Sequence, residues 1–367
     1  MKKNILICIP SYTYGGAEIH SLNTAKALQN EEGVQVYFLA FGRKDSFQEK
    51  LEQEGFRTLH FPLSDFLALG IINKLVTLIR LTFFLKKYKF YSIFAGTEQC
   101  NLMMGLIWKV IGAKHFFWHQ WSINNNNIGF WEKIVIKSKP KYIANSRACK
   151  KNIIERHVLN NAEVKIIYNS FESNLNLNQG IKHDYFTIVM TANFFPEKDH
   201  ITVLKAFKLF IDKYPEENAQ LKFLGSAPGN SLSFLESKAI AFDLGLTPQN
   251  VSFLGKVSDI KSVISTSDIG ILSTKSEGLS NAIIEYMIYG LPVIATDIDQ
   301  NREVLGNKAD FLLFKFGNET ECFKNIEKLY LNPIERVKIG TENKKYAVEN
   351  YSSELYKSKI VSLIYSK

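Results

Sequence analysis

The sequence predicts an α/β protein of two domains, each built on a parallel β-sheet. Three observations support this fold class. The chain has 367 residues, which is more than one hydrophobic core normally serves. Short runs rich in β-branched and aromatic residues alternate with longer stretches of helical period, a pattern typical of βαβ units. The alternation stops once, near residue 173, and then begins again.

The elements follow in order along the chain. Residues 1–172 form the predicted N-terminal domain, with strands at NILICIP, VQVYFLA, KHFFWH, KYIAN and VKIIY. Residues 173–185 are polar and carry no period, so they are the predicted linker. Residues 186–351 form the second domain, with strands at YFTIVMTA, AQLKFLG, VSFLG, DIGILS, LPVIAT and DFLLF. Residues 352–367 open with possible N-caps and continue at helical spacing, which predicts a terminal helix.

Composition indicates an ordinary globular protein. Hydrophobic residues make up 46% of the chain and charged residues 22%, so neither a disordered nor a fibrous chain is indicated. The four cysteines show no close pairing of the kind that makes a zinc knuckle or a redox motif, and they suit a reducing compartment. The first apolar run stops at Pro10, as a strand would, so we expect no secretory signal and a cytoplasmic location.

Charge is unevenly distributed along the chain. Lys and Arg minus Asp and Glu gives 23 − 13 = +10 for residues 1–180 and 22 − 23 = −1 for residues 181–367. The N-terminal half therefore carries the basic surface. Nucleic acid, an acidic substrate and an anionic membrane could each meet such a surface, and charge alone does not choose among them.

Residues 66–90 are strongly apolar. Basic residues interrupt or end this segment: Lys74, Arg80, Lys86, Lys87 and Lys89. No uncharged run reaches the ~18 residues that a transmembrane helix needs. Two interpretations stay open, a core helix of the first domain and a basic amphipathic surface that docks on anionic lipid.

The sequence SEGLSNAIIEYMIYGLPVIATD, residues 276–297, gives the strongest indication of chemistry. It predicts Glu277 in a strand-to-helix loop and Glu285 within a helix that Gly290 ends. Glu277 could be no more than a carboxylate stabilised by the helix N-terminus. Carboxylates, however, suit sugar hydroxyls, and backbone N–H groups at a helix start suit a diphosphate. A nucleoside diphosphate sugar has both sugar hydroxyls and a diphosphate. The N–H groups predicted to bind the diphosphate are those of Gly278, Leu279, Ser280 and Asn281.

This segment resembles the signature of the retaining glycosyltransferases of family 4, which belong to the group 1 glycosyltransferases. The resemblance rests on the seven residues between Glu277 and Glu285 and on the GLP and strand that follow. It implies the GT-B fold, in which two Rossmann-like domains face each other across a cleft and the C-terminal helix crosses back to the N-terminal domain. It also implies that Glu277 contacts the transferred sugar and that Glu285 holds the ribose.

The resemblance extends along nearly the whole chain. YGGAE at residues 14–18 resembles the family's glycine loop after the first strand, where Gly15 and Gly16 would let substrate approach the backbone. Three further segments resemble the helix before the hinge, the hinge and the lead-in to the Glu motif: SRACKKNI at 146–153, IIYNSFE at 166–172 and GKVSDIKSVISTSDIGILS at 255–273.

One loop departs from the family pattern. The family commonly places an Arg a few residues ahead of a Lys in the first loop of the second domain, where both cations balance the donor diphosphate. The loop here reads TANFFPEKDH, with Lys198 at the lysine position and Asn193 at the arginine position. Charge neutralisation is therefore expected to rest on Lys198 and on helix dipoles.

Two residues of the N-terminal domain are further candidates. His119 ends the strand KHFFWH and matches a position where relatives often place a His near the acceptor and the transferred sugar, although a His among aromatic residues is as often simply packed. Glu98, in AGTEQC after the previous strand, could also face the cleft.

No metal site or cofactor is expected. The pair Asp297 and Asp299 has the Asp-x-Asp form that binds metal in a different glycosyltransferase fold. Here it follows the last strand of the Glu motif, so we interpret it as a cap and loop before the helix that contains Arg302 and Glu303. The nucleotide sugar itself counts as a substrate.

Together the residues and the resemblance predict a metal-independent hexosyltransferase. It would move a hexose or N-acetylhexosamine from a UDP-sugar, with retention, to a glycan or a polyprenyl-diphosphate-linked glycan in bacterial surface polysaccharide synthesis, such as capsule or O-antigen. The expected place is the inner face of the plasma membrane, with no nucleic acid partner. Alternatives are a sugar-nucleotide epimerase or glycoside phosphorylase of the same fold and a catalytically impaired sugar-nucleotide-binding protein. A nicotinamide-dependent oxidoreductase is disfavoured because no G-x-G-x-x-G follows the first strand.

Overall fold

A computed structural model of the chain describes residues 3–365 except 14, 43–44, 64, 125, 172–184, 228, 230, 258 and 307–311. The chain divides into two compact units, one of Met1–Ser170 with Ser353–Lys367 and one of Phe171–Ser352. Most of the predicted linker 173–185, and Glu172 of the predicted hinge, lie outside the described residues.

The first unit contains a seven-stranded parallel sheet in the order β3-β2-β1-β4-β5-β6-β7. Its strands are β1 (Lys3–Ile9), β2 (Val34–Ala40), β3 (Arg57–His60), β4 (Phe90–Ala95), β5 (His115–Gln120), β6 (Lys141–Ala144) and β7 (Val164–Ile166). Its helices are α1 (Gly16–Gln29), α2 (Ser46–Gln53), α3 (Ile71–Lys86), α4 (Glu98–Ile107), α5 (Phe130–Lys137), α6 (Arg147–His157) and, from the end of the chain, α14 (Ser353–Tyr365). The strand order reverses between β1 and β4, the point where such sheets bind ligands.

Helices cover both faces of this sheet, so its inner strands are apolar on both sides. Alternate residues of β1 enter different cores: Ile5 and Ile7 pack in one cluster and Leu6 and Cys8 in the other. The first cluster includes side chains of α14, and the second includes side chains of α3. The hydroxyl groups of Thr24 in α1 and Tyr356 in α14 share a hydrogen bond of 2.7 Å. The final helix is therefore an integral part of the first unit.

The second unit contains a six-stranded parallel sheet in the order β10-β9-β8-β11-β12-β13. Its strands are β8 (Phe186–Thr191), β9 (Ala219–Leu224), β10 (Val251–Gly255), β11 (Ile269–Leu272), β12 (Val293–Thr296) and β13 (Leu313–Phe314). Its helices are α7 (His200–Lys213), α8 (Leu232–Asp243), α9 (Ile260–Ser265), α10 (Asn281–Ile288), α11 (Asp299–Leu305), α12 (Glu319–Leu331) and α13 (Pro333–Tyr351). Here the order reverses between β8 and β11.

Helix α10, which carries the Glu motif, is held by close packing on both sides. The Tyr286 hydroxyl accepts a hydrogen bond of 2.5 Å from the Thr191 N–H, and the Tyr286 ring lies against Gly270 of β11, where a Cβ would overlap it. On the other side, Gly340 of α13 approaches the turn at Gly290 so closely that a Cβ there would overlap the Gly290 carbonyl oxygen. Both contacts need glycine because any side chain would separate the elements.

Candidate active site

The loops that follow β8 and β11 are joined by hydrogen bonds at the point where the strand order reverses. The Lys275 N–H donates to the Glu197 carbonyl at 2.9 Å, and the Asp199 N–H donates to the Ser273 carbonyl at 3.0 Å. The Thr274 hydroxyl also donates to the Glu197 carbonyl, at 3.2 Å. Because parallel strands end at one edge of the sheet, these contacts place the two loops together where α/β proteins bind ligands.

Lys198 and Glu277, predicted from different loops, form an ion pair at this edge. The Lys198 ammonium donates to the Glu277 carboxylate and lies 3.5 Å from the Thr274 hydroxyl oxygen. The two side chains are only 13% and 16% exposed. Burial raises the pKa of Glu277, Lys198 lowers it and Glu197 raises it, and the balance is upward. The site thus combines a cation with a carboxylate whose charge is poorly solvated.

A buried network of hydrogen bonds holds the loop that carries Glu277. The Thr274 N–H donates to the Thr296 hydroxyl at 3.1 Å, and that hydroxyl donates to the Thr274 carbonyl at 2.9 Å. The Asn301 amide nitrogen donates to the Thr296 carbonyl at 2.8 Å, and its oxygen accepts from the Ser280 hydroxyl at 2.5 Å. All four residues are buried. Satisfied buried networks of this kind fix a single geometry. Sequence reasoning missed Asn301 and Thr296 because neither belongs to the resemblance.

The head of α10 differs in part from the sequence-based prediction. The Asn281 N–H, predicted to bind a diphosphate, donates instead to the Leu279 carbonyl at 2.9 Å. The Leu279 side chain is buried, and the Ser280 hydroxyl serves the Asn301 network. The reason is local: a tight turn before the helix uses its own amides and turns these side chains inward. Of this stretch, Gly278 and Asn281 are half-buried, and Leu279 and Ser280 are buried.

Glu285 lies within α10, as predicted, and its side chain is half-buried. Among the described residues no ion pair or hydrogen bond reaches its carboxylate. Burial raises the pKa of Glu285 to about 7. An unpaired carboxylate in such surroundings weakens the fold, and groups of this kind are concentrated at functional sites. The residue therefore has hydrogen-bonding capacity that the protein does not use.

This shifted pKa predicts a pH dependence of stability. Because the pKa of Glu285 lies above its ordinary value of 4.5, the folded state holds the proton more tightly than the unfolded state. Its contribution to the free energy of unfolding therefore falls as pH rises from about 4.5 to about 7 and is constant above that. We expect Glu285→Gln to gain stability over the native protein across this interval, measured as urea midpoints at a series of pH values.

The exposed Glu349→Gln in α13 is the control and should follow the native protein at every pH. Midpoints of Glu285→Gln that run parallel to the native ones across the interval would contradict the assignment.

Asn193 joins the loop after β8 to the loop after β9 by hydrogen bonds. Its side-chain oxygen accepts from the Ser226 N–H at 2.8 Å and from the Ser226 hydroxyl at 3.0 Å. Gly225, directly after β9, has φ +154° and lies against the Ala192 carbonyl, which a Cβ would overlap. Asn193 is exposed and carries no charge, so it does not replace the arginine of the family pattern. The signal for Gly225 and Ser226 was present in the sequence, as a glycine that ends a strand.

The glycine loop of the first unit stands at the head of α1. Gly15 is the N-cap, with extended backbone at φ −154°, and Gly16 is the exposed first residue of the helix. No atom lies within 4 Å of a Cβ built on Gly16. Glu18, which follows them, is buried, and burial raises its pKa. Sequence reasoning did not select Glu18, although it ends the quoted YGGAE segment.

His119 lies at the carboxyl end of β5 and is 3% exposed. Burial, with a smaller contribution from His20, lowers the pKa of His119 to about 3, so the ring is neutral at ordinary pH. The Trp121 ring lies 5.0 Å from the His119 ring and 6.1 Å from the His20 ring, centroid to centroid. Glu98 is exposed at the start of α4.

Buried polar atoms without a protein partner are concentrated around His119. Among the described residues, five such atoms lie at or just beyond the carboxyl ends of β4, β5 and β6: Thr97 Oγ1, Asn101 Oδ1, His119 Nε2, Trp121 Nε1 and Asn145 Oδ1. Buried polar groups are normally paired, so a cluster of exceptions needs a reason. This edge of the first sheet, which we call the polar edge, is suited to a ligand rich in hydroxyl groups.

The Asp-x-Asp pair lies at the start of α11, as expected, but the predicted cap is wrong, because the N-cap residue is Ile298 and no side chain caps the helix. Asp297 forms an ion pair with Arg302, with 2.5 Å between Oδ1 and Nε, and Asp299 begins α11. In the described part of the chain, no group of three or more His, Cys, Asp or Glu side chains could hold a metal ion.

Comparison with known proteins identifies the family and the fold. The family model for group 1 glycosyl transferases matches residues 174–346, and the model for glycosyltransferase family 4 matches residues 14–174. The solved structure of Anabaena HepE in complex with UDP and glucose superposes with a TM-score of 0.83 over 100% of both chains, at 18% identity. The fold is therefore GT-B.

Relatives of known sequence give the same result. A Haemophilus influenzae protein described as an uncharacterized glycosyltransferase is 27% identical over 335 residues, 87% of this chain and 88% of its own. The capsular polysaccharide biosynthesis glycosyltransferase CapH of Staphylococcus aureus is 24% identical, covering 79% and 80%. An Escherichia coli UDP-Gal:alpha-D-GlcNAc-diphosphoundecaprenol alpha-1,3-galactosyltransferase is 26% identical over 40% of this chain and 36% of its own. With adjoining family models across residues 14–346, the chain belongs to the group 1 glycosyltransferases, with the GT-B fold.

Proposed function

We propose that this protein transfers a hexose or N-acetylhexosamine from a UDP-sugar to a glycan or a polyprenyl-diphosphate-linked glycan, with retention at the anomeric carbon. The observation that carries the proposal is the Lys198–Glu277 pair, held between two loops at the reversal of the second sheet and followed by the unpaired Glu285. A buried cation beside a carboxylate suits a ligand that joins a diphosphate to a sugar.

The proposed division of roles follows from charge and burial. The Lys198 ammonium would move from Glu277 to the diphosphate and neutralise its charge as the bond to the anomeric carbon breaks. Glu277 would then accept hydrogen bonds from the transferred sugar, and Glu285 from the ribose hydroxyls. The oxygen of the acceptor hydroxyl would bond to the anomeric carbon on the face that the diphosphate leaves, and the hydroxyl proton would pass to the leaving diphosphate. The protein would act by orientation and electrostatic stabilisation, with no metal and no cofactor.

The acceptor is assigned to the first unit. Its polar edge contains five buried polar atoms without a protein partner, which the hydroxyl groups of a bound sugar would satisfy, and the half-buried Trp121 lies among them. The charge of +10 over residues 1–180 suits a diphosphate-linked acceptor. Two relatives, one named for capsular polysaccharide and one for a diphosphoundecaprenol acceptor, support a role in surface polysaccharide synthesis. A place at the inner membrane face is part of the proposal.

Donor binding tests this proposal. We expect one class of UDP-, GDP- or dTDP-sugar to raise the melting temperature of the native protein, because a ligand at 100 times its Kd adds about 2.7 kcal/mol. The shift should be lost in Glu285→Ala and in Lys198→Ala, and kept in the controls Glu349→Ala and Lys345→Ala on α13. No shift with any nucleotide sugar, or the same shift in all variants, would contradict the assignment of the donor site.

A catalytically impaired sugar-nucleotide-binding protein is the second candidate. The observation that favours it is Asn193, whose side-chain oxygen is bonded to Ser226 where the family pattern has an arginine. Product analysis separates the two: tight donor binding with neither hydrolysis nor transfer, in the presence of lipid-linked and soluble glycans, would favour this second function.

A further inference from the structure

Helix α3 exposes an apolar face that no described part of the chain covers. Leu78, Leu81 and Leu85 enter the core of the first unit. The opposite face carries six exposed apolar residues at helical spacing: Ile71, Ile72, Leu75, Val76, Ile79 and Phe83. Ile72 is 76% exposed and Phe83 is 75% exposed. The helix is thus apolar on two sides, and a contiguous exposed apolar patch usually marks an interaction surface.

The part of the sequence that contains this face is strongly basic. Residues 66–139, which include α3, α4 and α5, contain ten Lys and Arg against two Glu, so their net charge is 10 − 2 = +8. One of the two acids, Glu132, is buried in an ion pair with Arg156. Residues 66–90 contain no acidic residue. Arg80, Lys86 and Lys87 are exposed in or directly after α3.

Helix α5 also has exposed apolar and exposed basic side chains, although fewer of them than α3. Phe130 is 70% exposed and Ile134 is 39% exposed, and the side chains of Lys133 and Lys137 on the same helix are also exposed. Helix α4 packs against both α3 and α5, so the three helices form one layer on the sheet. Two helices of this layer, α3 and α5, therefore combine exposed apolar side chains with exposed basic ones.

We propose that the α3 face is a docking surface for an anionic lipid bilayer. The apolar side chains would enter the boundary between headgroups and acyl chains, and the basic side chains would contact lipid phosphates. Charge selects this occupant over a second copy of the chain, because two such layers would repel each other face to face. Among the described residues no helix is long and apolar enough to cross a membrane. The inference deepens the proposed function, because a lipid-linked acceptor lies in the same bilayer.

Vesicle binding by the full chain tests the proposal. We expect sedimentation with vesicles of phosphatidylcholine and phosphatidylglycerol to be at least about tenfold stronger than with phosphatidylcholine alone, and to weaken as salt is raised. Ile72→Gln with Phe83→Gln should lower binding to both vesicle types by about tenfold or more. Arg80→Gln with Lys86→Gln and Lys87→Gln should remove the preference for anionic lipid, because each basic residue adds about fivefold.

Matched controls are Ile334→Gln with Val337→Gln and Lys344→Gln with Lys345→Gln, in α13 of the other unit, which should bind vesicles as the native protein does. No binding at low salt, or α3 variants that bind as the native chain does, would overturn the proposal. So would a dimer in sedimentation equilibrium that only the α3 variants dissociate. The melting shift with nucleotide sugar should survive in the α3 variants, so failure of docking and failure of the donor site give different results.

Discussion

Replacing Lys198 by alanine is expected to lower the rate of sugar transfer by about 10²–10³-fold, the usual effect of removing one group that stabilises a leaving anion. The effect should be at the upper end for this chain. Asn193 supplies no charge where the family pattern has an arginine, so more of the diphosphate charge would fall to Lys198, the cation paired with Glu277. The measurement is release of nucleotide with saturating donor and acceptor.

Two further variants separate catalysis from structural support. Glu277→Gln removes the charge that opposes Lys198, and the loss in the double variant should be smaller than the sum of the two single losses, because the two groups form one pair. Lys345→Ala, in α13, should transfer at the native rate. A Lys198→Ala rate within threefold of the native rate, at unchanged stability, would remove Lys198 from the mechanism.

Replacing Gly340 by alanine is expected to destabilise the second unit by about 1–3 kcal/mol, the usual cost of overpacking. Alanine favours a helix by about 1 kcal/mol over glycine, so propensity alone predicts the opposite sign. The overlap with the Gly290 carbonyl should decide the outcome, because backbone cannot rotate aside as a side chain can. The measurement is the urea midpoint, together with the donor-induced melting shift that depends on Glu285 in α10.

Gly129→Ala is the matched control. Gly129 is the N-cap of α5, its φ is −76°, and no atom lies within 4 Å of a Cβ built there. Alanine there should cost less than about 1 kcal/mol, because glycine is the better N-cap residue but the added methyl group meets no neighbouring atom. A Gly340→Ala variant as stable as the native protein would mean that α13 can move away from α10 without loss.

The fold could be predicted from the sequence because its elements have strong patterns. Every strand proposed from the apolar runs is present, and the segment SSELYKSKIVSLIYSK forms α14. Two strands of the first sheet were not among them. Strand β4, residues FYSIFA, was only implied as the strand before AGTEQC, and strand β3, residues RTLH, was missed because an edge strand buries little surface and has no apolar run. For residues 66–90 the core-helix interpretation is confirmed, because Leu78, Leu81 and Leu85 enter the core, and docking on anionic lipid stays a prediction. Helix α3 has a core face and an exposed apolar face, and periodicity could not show that both faces of one helix are apolar.

The site was predictable where the chemistry follows local sequence. Glu277 and Glu285 could be placed on a loop and a helix because strand, helix and turn signals surround them. The contact of Glu277 with Lys198 depends on strand order, since the two residues lie in different βα units of the second sheet. The inward turn of Ser280 depends on a buried asparagine 21 residues later. Such long-range polar contacts leave no periodic trace, so sequence patterns could not reveal them.

The position of α14 at the end of the sequence affects the order in which the two units fold during synthesis. The two ends of the second unit meet, because Phe171 and Ser352 pair in parallel and the Phe171 N–H donates to the Tyr351 carbonyl at 3.0 Å. That unit is therefore an insertion within the first. During synthesis an N-terminal domain normally folds first. Here the second unit can fold while the first unit still lacks α14, the helix that covers α1. The ribosome therefore delivers the last helix of the first unit only after the inserted unit is complete.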